Sequence, residues 1–171
     1  QSEAASEQAF ANIWLHNNHL KIDGSKISKS LGNGYTLQDI IDKGFSPMDL
    51  RMFVLQGQFT TEGNFTFENL QAAKNRRDNW LAYAVLRHQT HDSLSDDDRK
   101  NDDNTYPSLQ AAVGAIREAL FDNLNTPEAL RLVDEAFAQL DHQPLSAIHR
   151  HGLVELLNAI DELLGLQLLT S

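Results

Sequence analysis

Residues 66–90 read TFENLQAAKNRRDNWLAYAVLRHQT, and this stretch decides the fold class of the chain. Thr66 can act as a helix N-cap because its hydroxyl can accept a hydrogen bond from a backbone N–H of the first turn. A stripe of side chains then recurs at helical spacing: Leu70, Ala73, Trp80, Leu81, Ala84 and His88. The pattern predicts one long amphipathic helix whose stripe faces a core.

Helix signals also occur on both sides of this stretch. Thr36 precedes a short helical pattern, and Ser46-Pro47 supplies an N-cap and a first-turn proline for residues 48–55. Pro107 opens a helix to about residue 123, and Thr126 as N-cap with Pro127 starts another to about residue 140. A last helix is predicted from about Ser146 to Leu164. We therefore expect a mainly α fold in which the four long segments form an antiparallel helical bundle.

The first part of the chain predicts a small β region. The pair Asn17-Asn18 lies between two segments rich in β-formers, residues 13–16 and 19–22, which is typical of a β-hairpin. A loop rich in Gly, Ser, Lys and Asn follows over residues 24–35. We expect two units, residues 1–64 with the hairpin and loop, and residues 65–171 with the bundle. Residues 92–104 hold six acids and one apolar residue, which predicts a mobile acidic linker within the bundle unit.

The charge of the chain is unevenly distributed. Among 171 residues, Lys+Arg 14 against Asp+Glu 24 gives a net charge of −10. Residues 1–90 hold nine acids and nine bases, whereas residues 91–171 hold fifteen acids and five bases. Since a nucleic-acid-binding surface needs local positive charge, any such contact is expected within residues 1–90.

Composition also excludes several classes of protein. Cysteine is absent, which excludes disulfides and thiolate metal sites. No apolar run is long enough to span a membrane, so we expect a cytoplasmic protein without a membrane partner, and a monomer. The chain begins at Gln1 without a signal peptide and opens in what reads as the middle of a helix, which indicates a fragment.

The loop contains the segment with chemistry, residues 26–33, which read KISKSLGN. Lys26 and Lys29 are mobile point charges, and Ser28 and Ser30 can donate hydrogen bonds to phosphate oxygens. Such a loop bounded by Gly24 and Gly32 suits a polyphosphate, and a nucleotide is the natural ligand. Taken without its context, the same composition also fits a merely solvated turn.

In context, KISKSLGN resembles the KMSKS signature of class I aminoacyl-tRNA synthetases, with Ile27 in the position usually taken by Met. The loop alone would also fit the isoleucyl, leucyl, valyl and methionyl enzymes. Flanking segments narrow the resemblance to the cysteinyl-tRNA synthetases: QSEA at 1–4, WLH at 14–16, DG at 23–24, DLRMF at 49–53 and LNTPEAL at 124–130. The chain is thus similar to a C-terminal fragment of that family, carrying the KMSKS-type loop.

This resemblance implies a function. Cysteine–tRNA ligases activate cysteine with ATP, as its magnesium complex, to cysteinyl-adenylate and transfer the cysteine to tRNA(Cys). By resemblance, Lys26 and Lys29 are the catalytic residues, and they bind ATP together with Ser28 and Ser30. The helical bundle would correspond to the anticodon-binding-like bundle of class Ia synthetases. The family's HIGH motif, nucleotide-binding sheet and zinc ligands would lie outside this chain, so we expect the fragment alone to be inactive.

Two alternatives to a cysteine–tRNA ligase remain at this point. One is a related cysteine-dependent, adenylate-forming ligase that acts on an amino sugar; the other is a non-catalytic helical module that binds tRNA or another partner.

Other charged residues give weaker signals. Lys74 and Arg76 are candidates for tRNA-backbone contact, while Arg77 falls within the apolar stripe and is expected to pair with an acid or stack on Trp80. The seven histidines show no metal-ligand spacing, so no metal site is expected in this chain.

Overall fold

The computed structural model describes residues 9–28, 32–90 and 105–170. Its strands are β1 (Leu20–Ile22), β2 (Ser25–Lys26) and β3 (Gly63–Phe65). Its α-helices are α1 (Leu37–Asp42), α2 (Pro47–Leu55), α3 (Phe67–Val85), α4 (Tyr106–Phe121), α5 (Thr126–Leu140) and α6 (Arg150–Leu164). The prediction of a mainly α chain, with a small β region followed by helices, is confirmed. The acidic segment 92–104 lies outside the described residues.

The three short strands form one sheet in the order β2-β1-β3. β1 and β2 are antiparallel, with Ile22 opposite Ser25, and the turn between them is Asp23-Gly24. Both turn residues have positive φ, +48° and +73°, which matches the twist of a tight hairpin turn. β3 pairs with β1 in parallel, placing Phe65 opposite Ile22. The chain therefore closes this sheet with a strand some forty residues downstream.

The prediction of a β-hairpin around Asn17-Asn18 is wrong. Residues 11–19 form no strand, and the backbone N–H of Asn18 donates to the carbonyl of Phe59 at 2.8 Å. The side-chain amide of Asn18 donates to the carbonyl of Thr60 at 3.1 Å. Asn18 thus attaches the chain to the segment ahead of β3 instead of turning it back on itself.

Side-chain caps fix where the helices begin. Thr36 and Asp39 form a capping box at α1, and Ser46 and Asp49 form another at α2, which satisfies the free N–H groups of both first turns. Thr66 caps α3 as predicted.

Three helix boundaries differ from the predictions. The N-cap of α5 is Asn125 rather than Thr126, since the Asn125 side chain accepts from the N–H of Glu128. Ser146 lies in a 3-10 turn, and α6 begins only after its N-cap, His149. The long helix becomes a 3-10 turn after Val85, so His88 leaves the core stripe and is exposed.

The main core lies among the helices. α4 packs against both α5 and α6, and α2 packs along α3. Trp80 of α3 and Phe137 of α5 are fully buried and meet edge to face, with ring centroids 5.9 Å apart. A second, smaller cluster of Ile22, Ile40, Phe65 and Leu70 joins the sheet to α1 and α3.

Residues 165–169, which we call the C-terminal strap, run back across α2 and α3. Three arginines bind carbonyls at or near the strap: Arg51 that of Leu164, Arg77 that of Leu166 and Arg87 that of Leu169. The Asp161 carboxylate accepts the N–H groups of Leu168 and Leu169 at 2.8 and 3.0 Å. The end of α6 is thereby fixed to α2, to α3 and to the 3-10 turn that follows α3.

Candidate functional site

The hairpin places the start of the KISKS segment, residues 26–28, at the protein surface. Lys26 ends β2 and is exposed, while Ser28 is half-buried in the loop that follows. Lys29 and Ser30, the other two residues predicted to bind ATP, lie outside the described residues. The structure therefore places Lys26 and Ser28 together on one loop and leaves the predicted roles of all four residues as predictions.

The side chain of Asn33 closes this loop. Its Oδ1 accepts the backbone N–H of Ser28 at 2.9 Å, and its Nδ2 donates to the carbonyl of Lys26 at 3.1 Å. One amide group thus binds both sides of Ile27, and Gly32 just before it has φ +60°, a conformation that glycine adopts without strain. We call this arrangement the loop clasp. It fixes the base of the loop between Lys26 and Asn33.

The sequence analysis did not predict the role of Asn33 in the loop clasp. The φ of Asn33 is not positive; its contribution is made by the side chain. An amide can donate and accept at once, and an Asn at the end of a Gly-rich loop was the one available signal for such a role.

The hairpin turn is held from the far side of the sheet. The N–H of Gly24 donates to Oδ1 of Asn64 at 2.8 Å, and the N–H of Asp23 donates to the carbonyl of Phe65 at 3.0 Å. Both acceptors belong to β3, which leads directly into α3. The turn that delivers Lys26 is therefore positioned by the start of the long helix.

The two residues predicted to face tRNA have different surroundings. Lys74 makes a surface ion pair with Asp78 at 2.9 Å, and this hydrogen bond raises the pKa of Lys74 above its ordinary value. Arg76 binds the carboxylate of Asp134 on α5, and its guanidinium lies 5.6 Å from the centre of the Trp80 ring. Arg76 thus has an intramolecular partner that its sequence neighbourhood did not reveal.

Arg77 takes the first of its two predicted roles. Its guanidinium lies 3.7 Å from a carboxylate oxygen of Asp49, which is 2% exposed. The stacking position on Trp80 belongs to the neighbouring Arg76 instead. Arg77 therefore joins α3 to the first turn of α2, and its role there is structural.

Within residues 9–28, 32–90 and 105–170, no group of three His, Asp or Glu side chains could hold a metal ion. In the same part of the chain, none of the helices has the length and apolar character needed to cross a membrane.

Comparison with known families assigns the class of the first part of the chain. Residues 1–75 match the model of the tRNA synthetases class I (C) catalytic domain. This range contains the β region, the loop clasp, α1, α2 and the first turns of α3. The sheet and loop described above thus belong to a catalytic domain of the class I tRNA synthetase type.

Similarity to individual proteins extends over nearly the whole chain. The cysteine–tRNA ligase of Protochlamydia amoebophila is 33% identical over 96% of this chain and 34% of its own length. That of Chlamydia muridarum is 33% identical over 96% of the chain and 36% of its own length, and that of Opitutus terrae is 39% identical over 76% and 25%. The predicted resemblance is confirmed: the chain is a segment of the cysteinyl-tRNA synthetase family. It spans about a third of the length of the curated relatives it matches.

Proposed function

We propose that this chain is part of a cysteine–tRNA ligase and supplies the loop that contacts the phosphates of ATP. The observation that carries the proposal is the loop clasp, which holds Lys26 at the base of the KISKS segment within the range that matches the catalytic domain. A loop with a fixed base suits a polyphosphate, because the flexible side chain of Lys26 can move onto charge as it develops.

The proposed reaction has two steps. The carboxylate oxygen of cysteine attacks the α-phosphorus of ATP; the bond from that phosphorus to the β-phosphate bridging oxygen breaks, and magnesium pyrophosphate leaves with the electron pair. In the second step, a ribose hydroxyl at the 3′ end of tRNA(Cys) attacks the carbonyl carbon of the adenylate, loses its proton and displaces AMP.

Lys26 and Lys29 act in the first step. Negative charge accumulates on the departing pyrophosphate, and an ammonium group that reaches those oxygens only then lowers the barrier without tightening the binding of ATP. Ser28 and Ser30 supply hydroxyl donors to the same phosphates. No step is assigned to zinc, since in the part of the chain that the structure describes no side-chain cluster is arranged to hold one.

The proposal is tested by placing this chain in the Protochlamydia amoebophila enzyme in place of the segment it matches. We expect the chimera to catalyse cysteine-dependent ATP–pyrophosphate exchange, and Lys29→Ala to lower kcat by about a hundredfold with little change in the KM for ATP. Lys43→Ala, at an exposed lysine after α1, is the matched control and should leave kcat unchanged. Equal rates for the Lys29→Ala and unmodified chimeras would remove Lys29 from the mechanism.

The same preparations distinguish the alternatives. Exchange activity with no charging of tRNA(Cys) would favour a ligase that acts on an amino sugar. The 171-residue chain alone is expected to catalyse no exchange, because orienting cysteine and ATP requires more of the catalytic domain than one loop.

A further inference from the structure

An open cavity of about 430 Å³ lies at the surface beside the β region, on the side of the sheet formed by β1 and β3, and most of its lining residues are exposed. Its wall is formed by residues 17–20, by the chain between α2 and β3, and by the first turns of α3. Its aromatic and amide lining side chains include Phe53, Phe59, Asn17, Gln56, Asn64 and Asn69. The cavity is large enough for a small planar ligand, and none of the roles assigned above uses it.

Several amide groups in this wall keep hydrogen-bonding capacity. Asn17 and Asn69 each donate through Nδ2, to the carbonyls of Asn18 and Asn64, while neither Oδ1 has a partner among the described residues. Asn64 accepts from Gly24 through Oδ1, and its Nδ2 has no partner within the same residues. The wall therefore offers both free acceptors and a free donor on uncharged side chains.

The charge of the wall is low. Of the sixteen lining residues, only His19 and Glu62 are ionisable, and Glu62 is paired with Lys21 at 2.7 Å. Among the described residues, no lysine or arginine lines the cavity, so the phosphates of any strand bound here would lie outside it. The cavity instead suits a neutral ring with mixed donors and acceptors along its edge.

We propose that this cavity takes up one unpaired nucleobase of an RNA strand. Amide side chains pair with the edges of splayed bases, and aromatic side chains such as Phe53 and Phe59 provide surfaces for their faces. The proposal rests on the proposed function, under which the bound RNA is the tRNA substrate, and it adds a specific point of contact.

The position of Asn64 links this cavity to the phosphate loop. The side chain of Asn64 has two roles. Its Oδ1 accepts the N–H of Gly24 in the hairpin turn, and its Nδ2 faces the cavity. The turn lies two residues before Lys26. A base bound to Asn64 would thus stabilise the side-chain orientation that positions the hairpin turn, so occupancy of the cavity and the placement of Lys26 are expected to be coupled.

The test uses the 171-residue chain and short single-stranded homo-oligoribonucleotides of each of the four bases, with binding followed by fluorescence anisotropy. Gln56→Leu removes a lining amide, and Gln71→Leu makes the same change on α3 outside the cavity, where Gln71 bonds Asn75. We expect Gln56→Leu to weaken binding of at least one oligomer by about three- to tenfold, as for the loss of one hydrogen bond, and Gln71→Leu to leave it unchanged.

A second pair of variants fills the cavity without removing an amide. Ala72 lines the cavity and Ala82 lies on the same helix outside it; both are exposed. Ala72→Leu is expected to weaken binding and Ala82→Leu to have no effect, with the helical circular dichroism of all four variants unchanged. Side-chain amide resonances of Asn64 and Gln56 should shift on adding the oligomer that binds best.

Three results would overturn the proposal. The first is an abasic oligomer that binds as tightly as the base-bearing ones. The second is an equal loss of binding affinity for the lining variant and its control in both pairs. The third is no binding of any oligomer. Mononucleotides that bind as tightly as the oligomers would assign the cavity to free nucleotides instead of RNA. The lysine test in the chimera is independent of all of these results, so the cavity can fail while the proposed function stands.

Discussion

Replacing Asp134 by Ala is expected to destabilise the chain far more than an exposed carboxylate should. Oδ1 of Asp134 accepts the indole N–H of Trp80 at 2.7 Å, and its other oxygen binds Arg76. Trp80 is fully buried, so the substitution removes the protein acceptor of its indole N–H, which costs about 1–3 kcal/mol. The partly exposed pair with Arg76 adds only about 0.5–1 kcal/mol, since solvent screens it. We expect a total loss of about 1.5–4 kcal/mol.

Urea unfolding followed by circular dichroism measures this loss. Glu135→Ala is the matched control, because it removes the same charge from the next residue of α5, where the carboxylate only pairs with Arg131 at the surface. Asp134→Asn keeps an acceptor for the indole and should recover about half of the lost free energy. If Asp134→Ala and Glu135→Ala prove equally stable, the buried hydrogen bond to Trp80 does not hold α3 to α5.

Three further outcomes are expected. Burial, assisted by hydrogen bonds to a carboxylate, raises the pKa of Tyr83 to about 12. The contribution of Tyr83 to stability is therefore complete below about pH 10 and is lost as the pH rises towards 12. Tyrosinate absorbance should show a late-titrating group that is missing in Tyr83→Phe. Gly165→Ala should lower the melting temperature, because φ is +66° and a Cβ would meet a guanidinium at 2.8 Å. Gly114→Ala should raise the melting temperature through helix propensity, because Gly114 lies inside α4 with open space around it. In the chimera, Lys74→Glu should weaken tRNA binding and flatten its salt dependence, and Arg131→Glu should not; a larger effect at Arg131 would place the RNA on the acidic half.

Local signals predicted most of the helices. Ser46-Pro47 and Thr36 place their helix starts in the right positions, because a cap depends on residues within one turn of it. The sequence of the stripe on α3 likewise predicted the burial of Trp80 and Ala84. These features need no knowledge of distant residues.

The misplaced hairpin has the opposite cause. Asn17-Asn18 carries a good local turn signal, but Asn18 instead bonds Phe59 and Thr60, more than forty residues away. β1 pairs instead with β3, a strand of only three residues with a glycine at its start. No periodic pattern in the sequence predicts this strand. Tertiary pairing overrode a local preference that nothing nearby contradicts.

The sequence suggested which residues form the candidate site, which stays a prediction, but it did not suggest the contacts that hold those residues in place. KISKSLGN indicated a phosphate loop through Lys26 and Ser28, whereas the clasp by Asn33 depends on a side chain reaching two backbone groups at once. Arg76 was predicted to face tRNA because no nearby residue indicated another partner. Its partner Asp134 is 58 residues away in sequence. Partners at such separation cannot be chosen from charge patterns alone.

The C-terminal strap has a consequence for how the molecule forms during synthesis. Arg51, Arg77 and Arg87 emerge from the ribosome 113, 89 and 82 residues before the carbonyls they bind. Until residues 164–169 have been translated, these three guanidinium groups lack their carbonyl acceptors at the end of α6 and on the strap. Contacts of such long range form late and slowly. Helices α2 and α3 therefore reach their full stability only after translation has passed the strap, so a nascent chain halted before it would hold the KISKS loop on a less stable support.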